Sequence, residues 1–573
     1  MVISHHPTVS SEAAMFKECC DSGKARIPAL QWIRQYDRRD FGPDLAAGLT
    51  VAVMLVPQGM AYALLAGLPP VMGLYASTFP LLAYALFGSS RHLAVGPVAM
   101  TSLLVFAGLS PLAEPGSQGY IAMALLLAFL VGLIQLILGF LRMGFLVNFF
   151  SHAVISGFTS AAAITIWLSQ VHHLLGTPSS GGHSAYHLAT GIRSSIPGVH
   201  GISLAIGLAA LAILLLLRHW KPRFPGPIAV VLGGTFLVYI FGWDRLGVKV
   251  VGPVPQGLPA FSIPPLSLEG ISVLFPSAMT ILFISYMESI SIAKVIAAKE
   301  KYKIDPNQEF TGIGLANLTA AFFSAYPVTG GFSRTALNHQ AGARSPMASI
   351  LTAAFVLLTL LFFTPLFYHL PKAILAAIVM TAVLSLIDIQ EARHLFHLKR
   401  IDGWTLVFTF AVTLTLGSKE GLLLGVAFSL LVFIWRSAYP HAAELGYLEE
   451  EGTFRNLHHF PEAKVFPEVL ILRIDASLYF ANMGFVEDLL RRRLAEKPDT
   501  RWIILDLSAV NDVDAIAIDS LGELMENYAH QGIRFLLTGM KGPIREVMAK
   551  ADWGKRAEIY STVIQALKSI GRM

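Results

Sequence analysis

The stretches SYMESISIAK (285–294) and YPVTGGFSRTALN (326–338) decide how this chain folds. The first places Glu288 inside an apolar run, and the second places Arg334 after two glycines, a phenylalanine and a serine. A carboxylate and a guanidinium are costly at membrane depth, so each needs a partner, a ligand or a function. We interpret Ser285–Thr335 as part of one anion site within a membrane protein.

The composition is that of a polytopic membrane protein. Of 573 residues, 54% are hydrophobic and 14% are charged, whereas soluble domains carry roughly 25% charged residues. Long apolar runs recur between residues 44 and 437, which excludes a soluble enzyme with a single anchor. The two cysteines, Cys19 and Cys20, are adjacent and are expected to be free thiols, because neighbouring cysteines pair only with strain.

Fourteen apolar segments are predicted within a transport domain at 44–437, which follows a polar tail at 1–43. The segments are 44–67, 70–87, 96–110, 119–140, 145–174, 201–218, 227–242, 272–296, 307–324, 333–343, 345–367, 373–387, 402–416 and 420–437. Lys and Arg concentrate in alternate connections, so the positive-inside rule predicts that both termini are cytoplasmic. The predicted location is the plasma membrane, which would be the inner membrane in a bacterium.

Two of these segments, the third and the tenth, are short and begin with irregular backbone: SSRHLAVGPVAMTSLL (89–104) and SAYPVTGGFSRTALN (324–338). They lie seven positions apart among fourteen, which predicts two inverted repeats of seven. Paired segments of this kind point to a transporter's binding site, and the N–H groups at the start of a half-helix suit an anion. The alternative is that Gly96–Pro97 and Gly330–Gly331 are ordinary helix kinks.

Beyond residue 437 the pattern changes from membrane segments to a small α/β domain. Residues 438–466 are predicted to be a linker, and 467–573 a cytoplasmic domain with a largely parallel sheet. The predicted strands are 469–475, 477–482, 502–508 and 533–539, and the predicted helices are 483–496, 514–530, 542–551 and 561–571. The domain is long enough to have its own hydrophobic core.

Two blocks carry a resemblance to a known family: VPQGMAYALLAGLPPVMGLYASTFPLLAYALFGSSRHLAVGPVAMTSLL (56–104) and ESISIAKVIAAKEKYKIDPNQEFTGIGLANLTAAFFSAYPVTGGFSRTALNHQAGA (288–343). They resemble the signature of the sulfate permease (SulP) family of anion transporters, and plant members are especially similar over the second block. The C-terminal part resembles the STAS domain that ends many members. The resemblance implies core and gate subdomains, a homodimer, and elevator-like movement of the core against the gate.

The resemblance also implies an anion held between the third and tenth segments. The substrate-binding residues that it implies are Gln58, Tyr62, Pro97, Val98, Ala99, Phe332, Ser333, Arg334 and Thr335. Gln58 and Tyr62 are four residues apart and so share one helical face. Arg334 either donates hydrogen bonds to the anion directly or sets the electrostatic potential of the site without touching the anion. Glu288 is the candidate for proton or cation coupling, and the alternative is a salt-bridge strut to Arg334.

The favoured hypothesis is a secondary active transporter that couples protons to sulfate or a related inorganic oxyanion. One alternative is a chloride, bicarbonate or dicarboxylate exchanger of the same fold. A second is a regulatory or sensor protein in which the STAS-like domain is the output and transport is vestigial. No nucleophile–base set, metal motif or P-loop indicates an enzyme. We expect no cofactor, metal or nucleic-acid partner. Whether the STAS-like domain binds a soluble partner is left open by the sequence.

Two smaller patterns are better explained without a functional role. His172, His173, His183 and His187 have loosely metal-like spacing, but an exposed connection is the favoured interpretation. In VNDVDAIAIDS (510–520), no hydroxyl directly follows Asp514, which argues against the phosphorylation switch of related bacterial domains.

Overall fold

The computed structural model of the chain describes residues 28–145, 151–178, 185–220, 226–551, 553 and 557–573, without the side chains of Ser385, Ser418 and Lys419. The chain divides into two units at the boundary between Ser429 and Leu430. The first unit holds the apolar helices as far as Ser429, and the second holds the rest of the last apolar helix, Ser418–Ala438, and a sheet with flanking helices.

Each predicted apolar segment contains a helix, although residues 146–150 lie outside the described part. The helices are Ala29–Arg34, Phe41–Leu65, Pro70–Tyr75, Phe79–Phe87, Ala99–Leu109, Gln118–Phe140, His152–Leu175, Ala185–Ser195, Gly201–Trp220, Gly226–Phe241, Leu268–Lys299, Pro306–Phe322, Phe332–Gln340, Met347–Leu358, Lys372–Val383, Ile389–Leu398, Arg400–Leu416 and Ser418–Ala438. Within the described residues, eight helical segments are long and apolar enough to cross a membrane. The predicted helical membrane architecture is therefore confirmed.

The structure also corrects several details of the prediction. Segment 70–87 is two helices, and the second has Pro80 in its first turn. Two amphipathic helices, Ala185–Ser195 and Ile389–Leu398, were not predicted, because their polar faces break up any long apolar run. His172 and His173 end a helix instead of lying in an exposed connection, and His183 lies outside the described residues.

Two short strands pair inside the first unit. Strand β1 is Val95–Gly96 and strand β2 is Thr329–Gly330, and they pair antiparallel. Each strand directly precedes a short helix, Ala99–Leu109 after β1 and Phe332–Gln340 after β2. We call these two helices the first and second half-helix.

The helices Phe41–Leu65 and Pro70–Tyr75 approach each other so closely that glycine is required at their contact. An ideal Cβ on Gly73 would lie 1.9 Å from the carbonyl oxygen of Gly59. No side chain fits at that distance without backbone movement, since protein interiors are already close-packed.

We therefore predict that Gly73→Ala destabilises the membrane unit by roughly 1–3 kcal/mol or more, the usual range for overpacking. Thermal unfolding of the purified protein in detergent measures this. The control is Gly233→Ala, whose added Cβ would meet nothing within 4 Å. Equal unfolding temperatures for the two variants would contradict the packing argument.

The second unit contains a six-stranded sheet. Its strands are β3 (Ala442–Leu448), β4 (Thr453–Asn456), β5 (Val469–Ile474), β6 (Trp502–Asp506), β7 (Arg534–Thr538) and β8 (Glu558–Tyr560), in the order β4-β3-β5-β6-β7-β8. Strands β5 to β8 are parallel, which agrees with the predicted largely parallel sheet, although β8 itself was not predicted. Strands β3 and β4 are antiparallel additions at one edge. The helices are Met483–Glu496, Ala515–Ala529, Gly542–Lys550 and Val563–Ser569.

Two predictions for this region differ from the structure. Residues 438–466, predicted to be a linker, contain strands β3 and β4, whose polar edge residues resemble a solvated connection. Residues 477–482 are not a strand but a loop with one isolated bridge, Leu478 to Val513. The Asn482 side chain accepts from the Tyr479 N–H at 3.1 Å and donates to the Ser477 carbonyl at 2.9 Å. Local bonds of this kind compete with a strand ladder.

A charged cluster joins the start of β3 to the end of β5 and gives a pH-dependent prediction. Asp475 accepts from Arg473 Nε at 2.6 Å and lies 2.8 Å from His441 Nδ1. Burial raises the pKa of Asp475, but the hydrogen bonds from Arg473 and His441 outweigh burial, and its pKa is lowered overall. A carboxyl with a lowered folded-state pKa stabilises the fold above its unfolded pKa, and loses that contribution as the pH falls through the folded value.

We expect Asp475→Asn to lower the unfolding temperature of the C-terminal unit in the full chain at neutral pH. The difference from the unsubstituted protein should shrink as the pH falls below the usual carboxyl range. Thermal unfolding followed across a pH series measures this. A difference that is the same at every pH would contradict the assignment.

Candidate functional site

The two half-helices begin at the same place in the first unit. Val95 lies opposite Gly330, and Gly96 lies opposite Thr329. Antiparallel strands therefore lead into the two half-helices, as the predicted inverted repeat requires. The first helical hydrogen bonds run from Ser102 N–H to Val98 and from Thr335 N–H to Gly331. The N–H groups just before Ser102 and Thr335 are thus free of helical acceptors.

Side-chain bonds fasten the approach to the first half-helix onto the second half-helix. The Thr335 hydroxyl donates to the Gly331 carbonyl at 2.7 Å and accepts from the Ala94 N–H at 3.1 Å. Asn338 Nδ2 donates to the His92 carbonyl at 2.9 Å. The Thr335 hydroxyl, which was predicted to contact the anion, is therefore engaged with backbone in this structure.

Arg334 is buried between the two half-helix starts, with 2% of its surface exposed. Its Nη1 donates to the Pro97 carbonyl at 2.5 Å. Its Nε and Nη2 are buried, and none of the described residues is a hydrogen-bond partner of either atom. The absence of side chains at Gly96 and Gly331 makes room for the guanidinium, since a Cβ on Gly331 would lie 2.7 Å from Arg334 Cζ. Buried donors normally have partners, so this arginine is arranged to receive an acceptor.

Glu288 lies on the long helix Leu268–Lys299, and its buried Oε2 has no hydrogen-bond partner in the part of the chain that the structure describes. It is near enough to Arg334 for an electrostatic interaction. The two residues do not form a salt bridge in the described structure, so the direct contact that a strut needs is not made. The carboxylate and the guanidinium are therefore both available to other partners.

The long helix also holds the second half-helix in place. The Thr329 hydroxyl donates to the Ser285 carbonyl at 2.7 Å. The Gly330 N–H donates to the Ser289 hydroxyl at 2.8 Å. From the neighbouring helix, the Asn317 side chain accepts from the Val328 N–H at 2.8 Å. The helix that carries Glu288 and the segment that carries Arg334 are thus fixed to one another.

The remaining predicted residues fall into two groups. Gln58, Tyr62, Pro97, Val98 and Ala99 are buried, and Tyr62 is within electrostatic range of both Arg334 and Glu288. Phe332 and Ser333 are exposed at the start of the second half-helix.

Sequence reasoning missed Tyr326, which is also within electrostatic range of Arg334. Its hydroxyl lies 3.1 Å from that of Ser102 on the first half-helix. Its position beside Pro327, just before the glycine pair, is the signal that could have identified it.

The arrangement can bind an anion. Two sets of backbone N–H groups at helix N-termini favour negative charge, and Arg334 adds two unused donor atoms beside them. A multi-pass membrane protein with paired half-helices around such a site is of the class of anion transporters.

The chain belongs to the sulfate permease family. The family profile matches residues 41–409, and the STAS domain profile matches residues 460–566. Sulfate transporter 4.1, chloroplastic, of Arabidopsis thaliana is 38% identical over 544 residues, covering 92% of this chain and 79% of that protein. A probable sulfate transporter of Mycobacterium tuberculosis is 35% identical over 529 residues, covering 92% of this chain and 94% of that protein.

Solved structures have the same fold. The murine Slc26a9 anion transporter in its inward-facing state superposes with a TM-score of 0.88 at 25% identity, covering 100% of this chain and 99% of that one. The transmembrane domain of a cyanobacterial bicarbonate transporter superposes with a TM-score of 0.60 at 21% identity, over 69% of this chain and 98% of that domain. The protein is a membrane anion transporter with a C-terminal STAS domain, and it is not an enzyme.

Proposed function

We propose that this protein is a secondary active transporter of sulfate or a related inorganic oxyanion, driven by protons. The observation that carries the proposal is the buried Arg334 at the meeting point of two half-helix N-termini, whose Nε and Nη2 bond to none of the described residues. The names of the Arabidopsis and Mycobacterium relatives support sulfate as the anion.

The anion would sit against the starts of both half-helices. Backbone N–H groups at Phe332–Arg334 and at Ala99–Thr101 would donate to it, because these groups precede the first helical bonds. Arg334 would add charge-assisted bonds, which are stronger than neutral ones. The exposed hydroxyl of Ser333 can donate without adding charge. This donor set suits an anion with several oxygens.

Proton coupling would act through Glu288. An ionised Glu288 opposes a dianion that binds near it, and a protonated Glu288 does not. Binding of the proton and binding of the anion therefore favour each other, and linkage makes the effect reciprocal. The protonated carrier would bring sulfate and proton across together.

Movement would be of the elevator type. The bonds from Ser285, Ser289, Thr335 and Asn338 join both half-helices and the long helix into one body. That body can shift against the remaining helices without separating the residues of the site. We further propose a homodimer in the plasma membrane, with both termini cytoplasmic as the distribution of Lys and Arg predicts.

Uptake of labelled sulfate into proteoliposomes tests the proposal. We expect an inward proton gradient to accelerate uptake, and selenate to compete better than chloride. Uptake that needs an internal counter-anion and ignores the gradient would favour an exchanger of chloride, bicarbonate or dicarboxylate. Absence of flux for every anion in the panel would favour a regulatory protein.

A further inference from the structure

A second acidic residue of the membrane unit, Glu309, is completely buried and is not part of the anion site. It lies in the first turn of the helix Pro306–Phe322. The Tyr84 hydroxyl donates to its carboxyl oxygens at 2.9 and 3.0 Å. The Ser89 N–H and hydroxyl donate to Oε1 at 2.8 and 2.7 Å. All of these donors are neutral.

The energetics of Glu309 indicate a specific role. A buried carboxylate without a cation costs several kcal/mol unless hydrogen bonds satisfy it. The Ser89 N–H can only donate, so the carboxyl oxygen that faces it acts as an acceptor. The N-terminal end of its own helix further favours negative charge there. Unlike Glu288, Glu309 has both oxygens occupied, so it is suited to holding structure and not to carrying a proton.

The same end of the helix holds the chain around Ser89 by three further contacts. Gln308 Nε2 donates to the Phe87 carbonyl at 2.6 Å. The Asp305 N–H donates to the Ser89 hydroxyl at 3.2 Å. A Cβ on Gly312 would lie 2.7 Å from the Cα of Gly88, so the two backbones touch.

The segment that follows Ser89 leads directly to the anion site. The Ser90 hydroxyl accepts from the Leu93 N–H at 3.2 Å, and His92 Nε2 lies 3.0 Å from the Ala343 carbonyl. Ala94 bonds to Thr335 of the second half-helix and to Gly331, the residue just before that helix, and β1 begins at the next residue. A displacement of Ser89 would therefore also shift the backbone of Val95–Ala99.

We propose that Glu309 is a positioning residue for the anion site. By holding Ser89 it sets the place of the first half-helix start opposite Arg334. This inference rests on the proposed function for its effect on transport, although its effect on the backbone can be measured separately.

The first test is sulfate uptake by Glu309→Gln in proteoliposomes. The amide keeps one acceptor for the two donors of Ser89 but places a donor at the position that faces the Tyr84 hydroxyl. It also removes the negative charge, which weakens the hydrogen bonds from Ser89. We expect the KM for sulfate to rise about tenfold while Vmax per reconstituted protein changes little, which is the signature of a disturbed binding site. Dependence on the proton gradient should be kept. Glu309→Asp, which retains both acceptors, should show a smaller rise.

The second test is hydrogen exchange of the full chain in detergent. We expect Glu309→Gln to speed amide exchange within residues 89–98. The matched control is Asp44→Asn, because Asp44 is equally buried and accepts from Arg344 N–H, Ser345 N–H and the Ser345 hydroxyl. That control should speed exchange near residue 344. Because the Ala343 carbonyl contacts His92, it should change exchange within 89–98 as well, but by less than Glu309→Gln does. If Glu309→Gln does not fold, Tyr84→Phe removes one donor and should shift both readouts in the same direction.

Unchanged exchange at 89–98 in the folded variant would overturn the inference, whatever the KM. A wild-type KM with faster exchange would also overturn it, since the half-helix start would then not depend on Ser89. If the unsubstituted protein transports no anion, the proposed function fails, and the exchange result alone decides whether Glu309 holds this segment.

Discussion

Replacing Arg334 with glutamine is expected to abolish sulfate transport. The guanidinium is buried and lies between the two half-helix starts, and its Nε and Nη2 have no hydrogen-bond partner within the described parts of the chain. Removing one member of a buried, hydrogen-bonded charge pair costs roughly 2–5 kcal/mol of binding, which is about 30-fold to several thousand-fold in affinity. Arg334→Lys keeps the charge but loses the fork of donors, so it should recover only a small part of the activity.

Arg344 provides the matched control for this prediction. It follows the same half-helix, but its side chain is 60% exposed and pairs with Asp40. Surface pairs contribute little, so Arg344→Gln should transport sulfate at close to the rate of the unsubstituted protein. Initial uptake rates in proteoliposomes measure both variants. Equal rates for Arg334→Gln and the unsubstituted protein would refute a role for Arg334 in anion binding.

Replacing Glu288 with glutamine is expected to uncouple transport from the proton gradient. Glutamine keeps the shape of the side chain but cannot bind and release a proton. We expect sulfate exchange between the two sides of the membrane to persist, while accumulation driven by an inward proton gradient falls at least about tenfold, because the linkage between proton and anion is gone.

Two assays on the same vesicles test this: uptake under an imposed pH gradient, and sulfate counterflow without one. Glu269→Gln is the control, since Glu269 lies in the first turn of the same helix and is exposed. It should behave as the unsubstituted protein in both assays. If Glu288→Gln retains full gradient-driven uptake, Glu288 is not the coupling residue.

The cost of polar groups in a membrane explains which parts of the site could be predicted. Arg334 and Glu288 could be found because charge in an apolar run needs a reason, and the Gly-Pro and Gly-Gly interruptions located the half-helices. Thr335 was chosen by motif, but a hydroxyl can equally satisfy backbone, as the structure shows. Glu309 was missed because it lies just after the polar turn at Lys303–Asp305 and looks like an edge residue.

The fold shows a similar division. Long apolar helices could be predicted because length and hydrophobicity alone define them. The amphipathic helices Ala185–Ser195 and Ile389–Leu398 and the edge strands β3 and β4 could not, because their polar faces resemble loops. The bond between Thr335 and Ala94 joins residues 241 positions apart, so only the folded chain shows it.

Electron cryomicroscopy of the protein with and without saturating sulfate tests most directly whether an anion binds where the two half-helices meet. We expect additional density between the starts of Ala99–Leu109 and Phe332–Gln340, within hydrogen-bond reach of Arg334 Nε or Nη2. Saturating sulfate that leaves this position empty, or that binds at another place in the membrane unit, would contradict it.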